Sequence, residues 1–293
     1  MYKNINYPKI DSGPEYSSLK EAYSFACKKD VEIIKPGNVY ISSPHKDTNS
    51  DDYLNSYKHS SKHLFLKEIS LGNRIFLSVE QTHKFVKKNT NLGIILVCAP
   101  LIHSLICYKD YPLKKGLTLT LENTTKSDTV SVCKAINLIN PGGLGVSKDH
   151  DTRTLPEIGL LEIMEYSSKY DRIAYQYTNM FNDVLNFVVP CLNSYQERYK
   201  SLSLSISLTF LEVLSNMPDS HIERKFGHKI AKKTSNQAND LLKILVTERI
   251  NQDSLNNRLR ELDYEYKKQG INPGTTADLL VAGLMIKKVF NKI

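Results

Sequence analysis

The sequence predicts an all-α, multi-helix bundle, and three observations point to it. Apolar residues recur at helical spacing along most of the chain, and helix-capping signatures stand before several of the periodic stretches. No alternation of strand and helix signals exists on which a parallel sheet could be built. The clearest periodic face is Ile173, Tyr177, Met180, Phe181, Val184, Leu185 and Val188, which reads as one long amphipathic helix terminated by Pro190.

Taken in chain order, the periodicity places further helices over about residues 15–29, 51–69, 71–87, 91–108, 128–139, 155–169, 198–216, 221–248, 252–268 and 275–291. The most hydrophobic run, Leu92 to Tyr108, contains Pro100, His103 and Ser104 and is shorter than the roughly 20 residues that span a bilayer, so it is expected as a buried core helix. Three stretches fit the capping box S/T-x-x-E/D: Thr154 to Glu157, Ser220 to Glu223 and Thr275 to Asp278. Glu32–Ile34, Val39–Ser42 and Leu117–Leu121 are expected as short extended pieces. With no internal repeat, Gly/Ser linker or shift in composition, residues 1–293 are expected as one domain.

A chain of 293 residues, 41% hydrophobic and 24% charged, can bury a sizeable core without disulfide or metal staples, and this balance excludes collagen-like and disordered classes. The five cysteines, at positions 27, 98, 107, 133 and 191, show no C-x-x-C spacing, which excludes a zinc or disulfide framework. Cys98, Cys107 and Cys133 fall in apolar stretches and read as small buried hydrophobes of a reducing compartment. The start, Met1-Tyr2-Lys3-Asn4, lacks a secretory signal, so a cytoplasmic location without a membrane partner is expected. The net charge of +8 favours a polyanionic partner. Its lysine pairs, such as Lys87-Lys88 and Lys232-Lys233, are spread along the chain and read as solvated faces, so nucleic acid is not expected.

Four turn clusters combine backbone-shaping and polar residues: Lys35 to Val39, Asn140 to Gly145, Pro218 to His221, and Asn272 to Asp278. The last two open into helices, whose N-terminal amides favour anions, and such apparatus suits phosphate. Each is also an ordinary capped turn. Asp278 is the most informative residue, because an acid at the mouth of the apolar helix Leu279 to Ile286 needs a partner. Asp219, His221, Arg224 and Lys225 gather an acid, an imidazole and two cations near one helix start, as either a polyphosphate and metal clamp or a capped, solvated terminus. Neither a P-loop nor a dinucleotide-binding glycine motif is present, and no G-x-S-x-G elbow argues for a hydrolase.

The order of these clusters resembles the triphosphoribosyl-dephospho-CoA synthase family, most specifically in Lys35-Pro36-Gly37 and in Pro273-Gly274 followed by Ala277-Asp278-Leu279-Leu280. Further matching pieces are Asn89 to Gly93, Asn140 to Gly145, Asp171-Arg172-Ile173-Ala174 with Tyr177, and Pro218 to Gly227. The resemblance implies an all-helical transferase that uses ATP as a triphosphoribosyl donor. The 2′-hydroxyl of 3′-dephospho-CoA attacks the anomeric carbon, and adenine leaves while the triphosphate stays on the sugar. Such chemistry needs a base, a donor to the departing adenine, and cations around the triphosphate. On this footing Asp278, Asp219 and His221 are the catalytic candidates, and Asp219 and Asp278 are also the candidate ligands of an expected Mg²⁺. Lys35, Asn38, Asn91, Gly142, Gly143, Arg224, Lys225, Thr275 and Thr276 are candidates for nucleotide and phosphate binding; Asp171, Arg172 and Asp183 rank behind them.

The chain departs from the family where Thr90-Asn91-Leu92-Gly93 replaces a Thr-His-[Lys/Arg]-Gly element, so it reads as a divergent branch. Two alternatives are therefore carried: ribosyl or phosphoribosyl transfer to another cofactor precursor, as in one-carbon metabolism, and a nucleotide-binding protein without catalysis.

Overall fold

The computed structural model describes residues 16–142, 151–155, 157–247 and 252–291, and among them the chain is helical with no strand. The first helices in order are α1 (Tyr16–Glu32), α2 (Ser50–Leu64), α3 (Leu71–Val86), α4 (Leu92–Cys107), α5 (Leu113–Glu122) and α6 (Lys126–Ile139). They are followed by α7 (Leu160–Ser167), α8 (Arg172–Thr178), α9 (Val189–Tyr199) and α10 (Leu202–Asn216). The last are α11 (Ser220–Phe226), α12 (His228–Thr247), α13 (Gln252–Lys268) and α14 (Gly274–Asn291). One contiguous hydrophobic cluster runs from Leu19 in α1 to Ile286 in α14. At its centre α4 and α14 pack on each other; both are apolar almost all round, as central helices must be.

Several expectations are corrected. Leu117–Leu121 is helical, because Leu113, Gly116, Leu117, Thr120 and Leu121 form one buried face that the alternating Leu-Thr pattern conceals. Glu32–Ile34 and Val39–Ser42 form no strand; only an isolated bridge joins Tyr40 to Ser43. The long helix expected over Ile173–Val188 is interrupted after α8, where Met180 and Phe181 both adopt left-handed backbone (φ 55°). Pro190 does not end a helix but sits in the first turn of α9. Proline has no N–H to donate, and the chain enters α9 through a wide π turn over Val184–Val188, in which Val189 N–H reaches back to Val184 O.

The stretch 221–248 is two helices, split at Gly227 (φ 84°), a conformation open to glycine at no steric cost. Thr154 caps nothing: it ends a short 3₁₀ turn, and α7 starts only at Leu160. Ser220 is not the cap of α11 either, since the preceding Asp219 takes that role. Cys98 and Cys133 are buried as expected, whereas Cys107 is exposed at the end of α4. No helix among the described residues is long and apolar enough to cross a membrane.

Candidate active site

The starts of α4, α8, α11 and α14 meet at one place. Asp219 joins two of them. Its Oδ1 accepts from the backbone N–H groups of His221 (2.9 Å) and Ile222 (3.1 Å) in α11. Its Oδ2 accepts from the N–H and the hydroxyl of Thr276 in α14, both at 2.7 Å. A buried carboxylate thus caps two helices at once, and its four acceptor positions are filled. Ser220 adds a third connection: its hydroxyl accepts from Arg172 N–H at the start of α8 (3.1 Å) and lies 3.0 Å from the Thr275 hydroxyl.

Asp278 follows one turn into α14. A methyl group in place of the Gly93 hydrogen would lie 2.0 Å from Asp278 Oδ2, so this carboxylate rests directly on the first turn of α4 and only glycine leaves it room. The residue keeps partial exposure, and its carboxyl group makes no hydrogen bond or ion pair among the described residues. Burial, reinforced by Asp30, Asp219 and Asp171 nearby and opposed by Arg224, holds its pKa well above the usual carboxylate range. Desolvation likewise raises the Tyr53 phenol, which is close enough to Asp30 and Asp278 to feel both charges and stays protonated.

His221 lies against the same helix start, since a Cβ on Gly274 would come within 2.6 Å of its Nδ1. Gly274 and Asp278 are four residues apart and share one face of α14. Burial lowers the His221 pKa despite the opposing pull of Asp219, which favours a neutral imidazole. The two titratable groups are therefore pushed in opposite directions: a carboxyl group that tends to keep its proton and an imidazole that tends to lack one.

The cations are held by acids. Arg224 pairs through Nη1 with Asp171 Oδ2, while Asp171 Oδ1 caps α8 by accepting from Ile173 N–H (2.7 Å) and Ala174 N–H (3.2 Å). Arg172 donates from Nε to the buried Asp183 at 2.7 Å, a carboxylate that Gln176 also contacts at 2.6 Å. Its guanidinium lies over the Tyr175 ring (4.6 Å), and its terminal nitrogens carry no protein partner among the described residues. Lys35 is fully buried and turned inward, donating to Asp30 O and pairing with Asp30 Oδ1 at 3.1 Å.

Of the other sequence candidates, Asn38 joins the cluster by donating to Asn272 Oδ1 (2.6 Å) just ahead of α14, and its own Oδ1 is buried without a partner. Thr275 and Thr276 stand inside the first turn of α14, which starts at Gly274, so Thr275 forms no capping box with Asp278, and Asn91 is the residue before α4, without a side-chain cap. Lys225 is exposed, its ammonium over the Phe226 ring at 5.2 Å. Gly142 is exposed past the end of α6 with no atom within 4 Å of where a Cβ would be, and Gly143 lies outside the described residues.

Sequence reasoning missed Asp30 and Tyr53 and placed Arg172 too low. Asp30 and Tyr53 carry no motif. Arg172 had a signal, because it directly follows an N-capping aspartate and so stands at a helix start.

Comparison with known families gives the chain a family. The profile of the CitG family, described as ATP:dephospho-CoA triphosphoribosyl transferase, matches residues 16–292. The chain belongs to that family. Among solved structures it is similar to a protein from Archaeoglobus fulgidus assigned as a triphosphoribosyl-dephospho-CoA synthase. That match has a TM-score of 0.62 and 22% identity, and it covers 81% of this chain and 99% of the other, a likeness of fold. A comparison with curated proteins finds no match. The CitG family is one of transferases that act on ATP and dephospho-CoA.

Proposed function

We propose that the protein is a pentosyltransferase in which Asp278 and His221 form the acid–base pair for transfer of the 5-triphosphoribosyl group from ATP to the 2′-hydroxyl of 3′-dephospho-CoA. What carries this reading is the family match over residues 16–292 together with the meeting of Asp278 and His221 at the start of α14, where burial displaces their pKa values in opposite directions. In the displacement the bond from the acceptor oxygen to C1′ forms as the bond from C1′ to N9 of adenine breaks, through an oxocarbenium-like state. His221, neutral, takes the proton of the attacking hydroxyl. Asp278, protonated, gives its proton to the departing adenine, and solvent exchange resets both. The amides at the starts of α4 and α14 favour the triphosphate, and Arg172 and Arg224 bring two guanidinium groups whose acids fix their position. Asp219 is assigned to building the site, because its lone pairs are already used.

Mg²⁺ is tested by the donor set. The described residues contain no group of three or more His, Cys, Asp or Glu side chains that could hold a metal ion, and Asp219 has no acceptor position left. Magnesium ions are commonly held by one or two carboxylates together with substrate phosphates, and Asp278 is the unpaired carboxylate that fits that pattern. An Mg²⁺ arriving with the triphosphate would offset its charge there, and this second reading replaces the proton on Asp278 by a cation. The free cysteines and the intracellular substrate ATP support a cytoplasmic location, and the contiguous core supports treating the chain as one catalytic unit.

The deciding experiment incubates the protein with ATP, Mg²⁺ and 3′-dephospho-CoA and follows free adenine and the product by mass spectrometry. Wild type is expected to form both in equal amounts. The pH profile is expected to have an acidic limb below pH 6.5 from His221 and an alkaline limb from Asp278. Adenine release without an acceptor adduct would instead indicate a different acceptor, and ATP binding with no adenine at all would sink the transferase reading. If ATP binding by Asp278→Asn loses its dependence on Mg²⁺, the metal reading replaces the proton-donor one.

A further inference from the structure

A second concavity lies behind the loop that follows α1. It is a groove of about 460 Å³, walled on one side by Tyr40, Ser42 and Ser43 and on the other by Arg260, Tyr264 and Lys267 of α13. Arg260, Tyr264 and Lys267 recur at helical spacing and so share one face of α13. Tyr264 is 69% exposed, an uncommon degree for so large a ring, and Arg260 is exposed with no acid or other partner among the described residues. The acid of the groove is already spent. Asp263 accepts from Gly37 N–H (2.8 Å), Tyr40 OH (3.1 Å) and Ser43 Oγ (2.9 Å), and it pairs with Lys267 at 3.1 Å. What the groove offers a ligand is thus one uncompensated guanidinium beside one free aromatic face, a combination that suits a nucleotide, whose base stacks and whose phosphate pairs.

The groove is tied to the active site by a short path. Gly37, bonded to Asp263, is followed by Asn38, which holds Asn272 two residues before Gly274, the residue against which His221 of α11 packs. Burial depresses the Lys267 pKa, and the Lys35 charge is near enough to add to it. A dephospho-CoA acceptor is long. If its reacting ribose lies at His221, its diphosphate and the rest of the molecule must continue outwards, and the loop 35–43 separates that point from the groove by a few residues.

We infer that the groove between loop 40–43 and α13 is the subsite for the acceptor nucleotide, with Tyr264 as the stacking platform and Arg260 as the ligand of its diphosphate. The inference rests on the acceptor proposed above, and its test separates the two. Calorimetric titration of the full chain with 3′-dephospho-CoA and, separately, with ATP is compared for wild type, Arg260→Ala, Tyr264→Ala and Tyr264→Phe. The two alanine variants are expected to weaken 3′-dephospho-CoA binding at least about tenfold, the scale of one lost stacking or charged contact, while ATP binding is unchanged. Tyr264→Phe keeps the ring and is expected to bind like wild type. Unchanged acceptor affinity in the double alanine variant overturns the subsite, as does equal weakening for ATP, or failure of wild type to bind 3′-dephospho-CoA. Groove-dependent binding without any product in the wild-type reaction leaves the subsite standing and removes the proposed function. Product formation with an acceptor KM indifferent to Arg260 and Tyr264 does the reverse.

Discussion

Asp219 and Asp278 stand in the same cluster of helix starts, the first buried and the second part-exposed, and they differ in what surrounds the carboxylate. Asp219 receives four hydrogen bonds from two helices, whereas Asp278 receives none among the described residues and faces other acids. A buried charge with its lone pairs filled is a structural element, and a partly desolvated carboxyl group beside other acids with none filled is costly to keep ionised, a state that persists where chemistry uses it. The contrast separates construction from catalysis within a single site.

The strongest way to break the contrast is Asp278→Asn. Transfer is expected to fall about 10²- to 10⁴-fold, the usual contribution of a positioned acid or base, with no loss of stability at neutral pH. Adenine release in single turnover and thermal unfolding measure the two sides. The stability side has a pH signature. Because the folded-state pKa of Asp278 lies above its ordinary 3.8, the folded protein holds this proton more tightly than the unfolded chain. Its contribution is therefore greatest below pH 3.8 and is lost as pH rises through the folded pKa. The asparagine does not titrate, so the variant should gain on wild type across that interval and stay ahead above it. A melting-temperature gap that does not widen with pH would show that Asp278 has a partner after all.

Asp219→Ala is expected to do the opposite, costing about 2–4 kcal/mol through two lost caps and orphaned amides, read from denaturant unfolding. A fully stable Asp219→Ala protein that loses only activity would erase the distinction. The smallest effect is expected at Ser220→Ala, about 0.5–1.5 kcal/mol for the hydroxyl that connects α8 to α14.

The helical class was legible because apolar faces recurring at helical spacing, such as Leu71, Ile75 and Val79 of α3, admit few other solutions. The break after α8 was not, since left-handed Met180 and Phe181 have no residue signal and only tertiary packing fixes them. At the site, sequence spacing located the helix starts but misassigned Ser220 as the cap. Aspartate and serine are both good caps, and which one turns inward depends on Thr276, more than fifty residues away. Lys35 stood out as a candidate phosphate ligand for its place beside Pro36-Gly37, yet its ammonium is committed to Asp30, a pairing that sequence alone could not show.

The bond from Asp219 to Thr276 also bears on how the protein is made. Ribosomes deliver α14 after every other described helix, while α11, α4 and α1 all wait for it. Until residues 274–278 emerge, Asp219 has two of its four donors, Gly93 lacks the Asp278 carboxylate, and Gly37 has only just gained Asp263. Contacts of such long sequence separation form late, so the nascent chain is expected to depend on chaperone protection of its apolar centre and to acquire nucleotide-binding ability in one step once α14 has emerged.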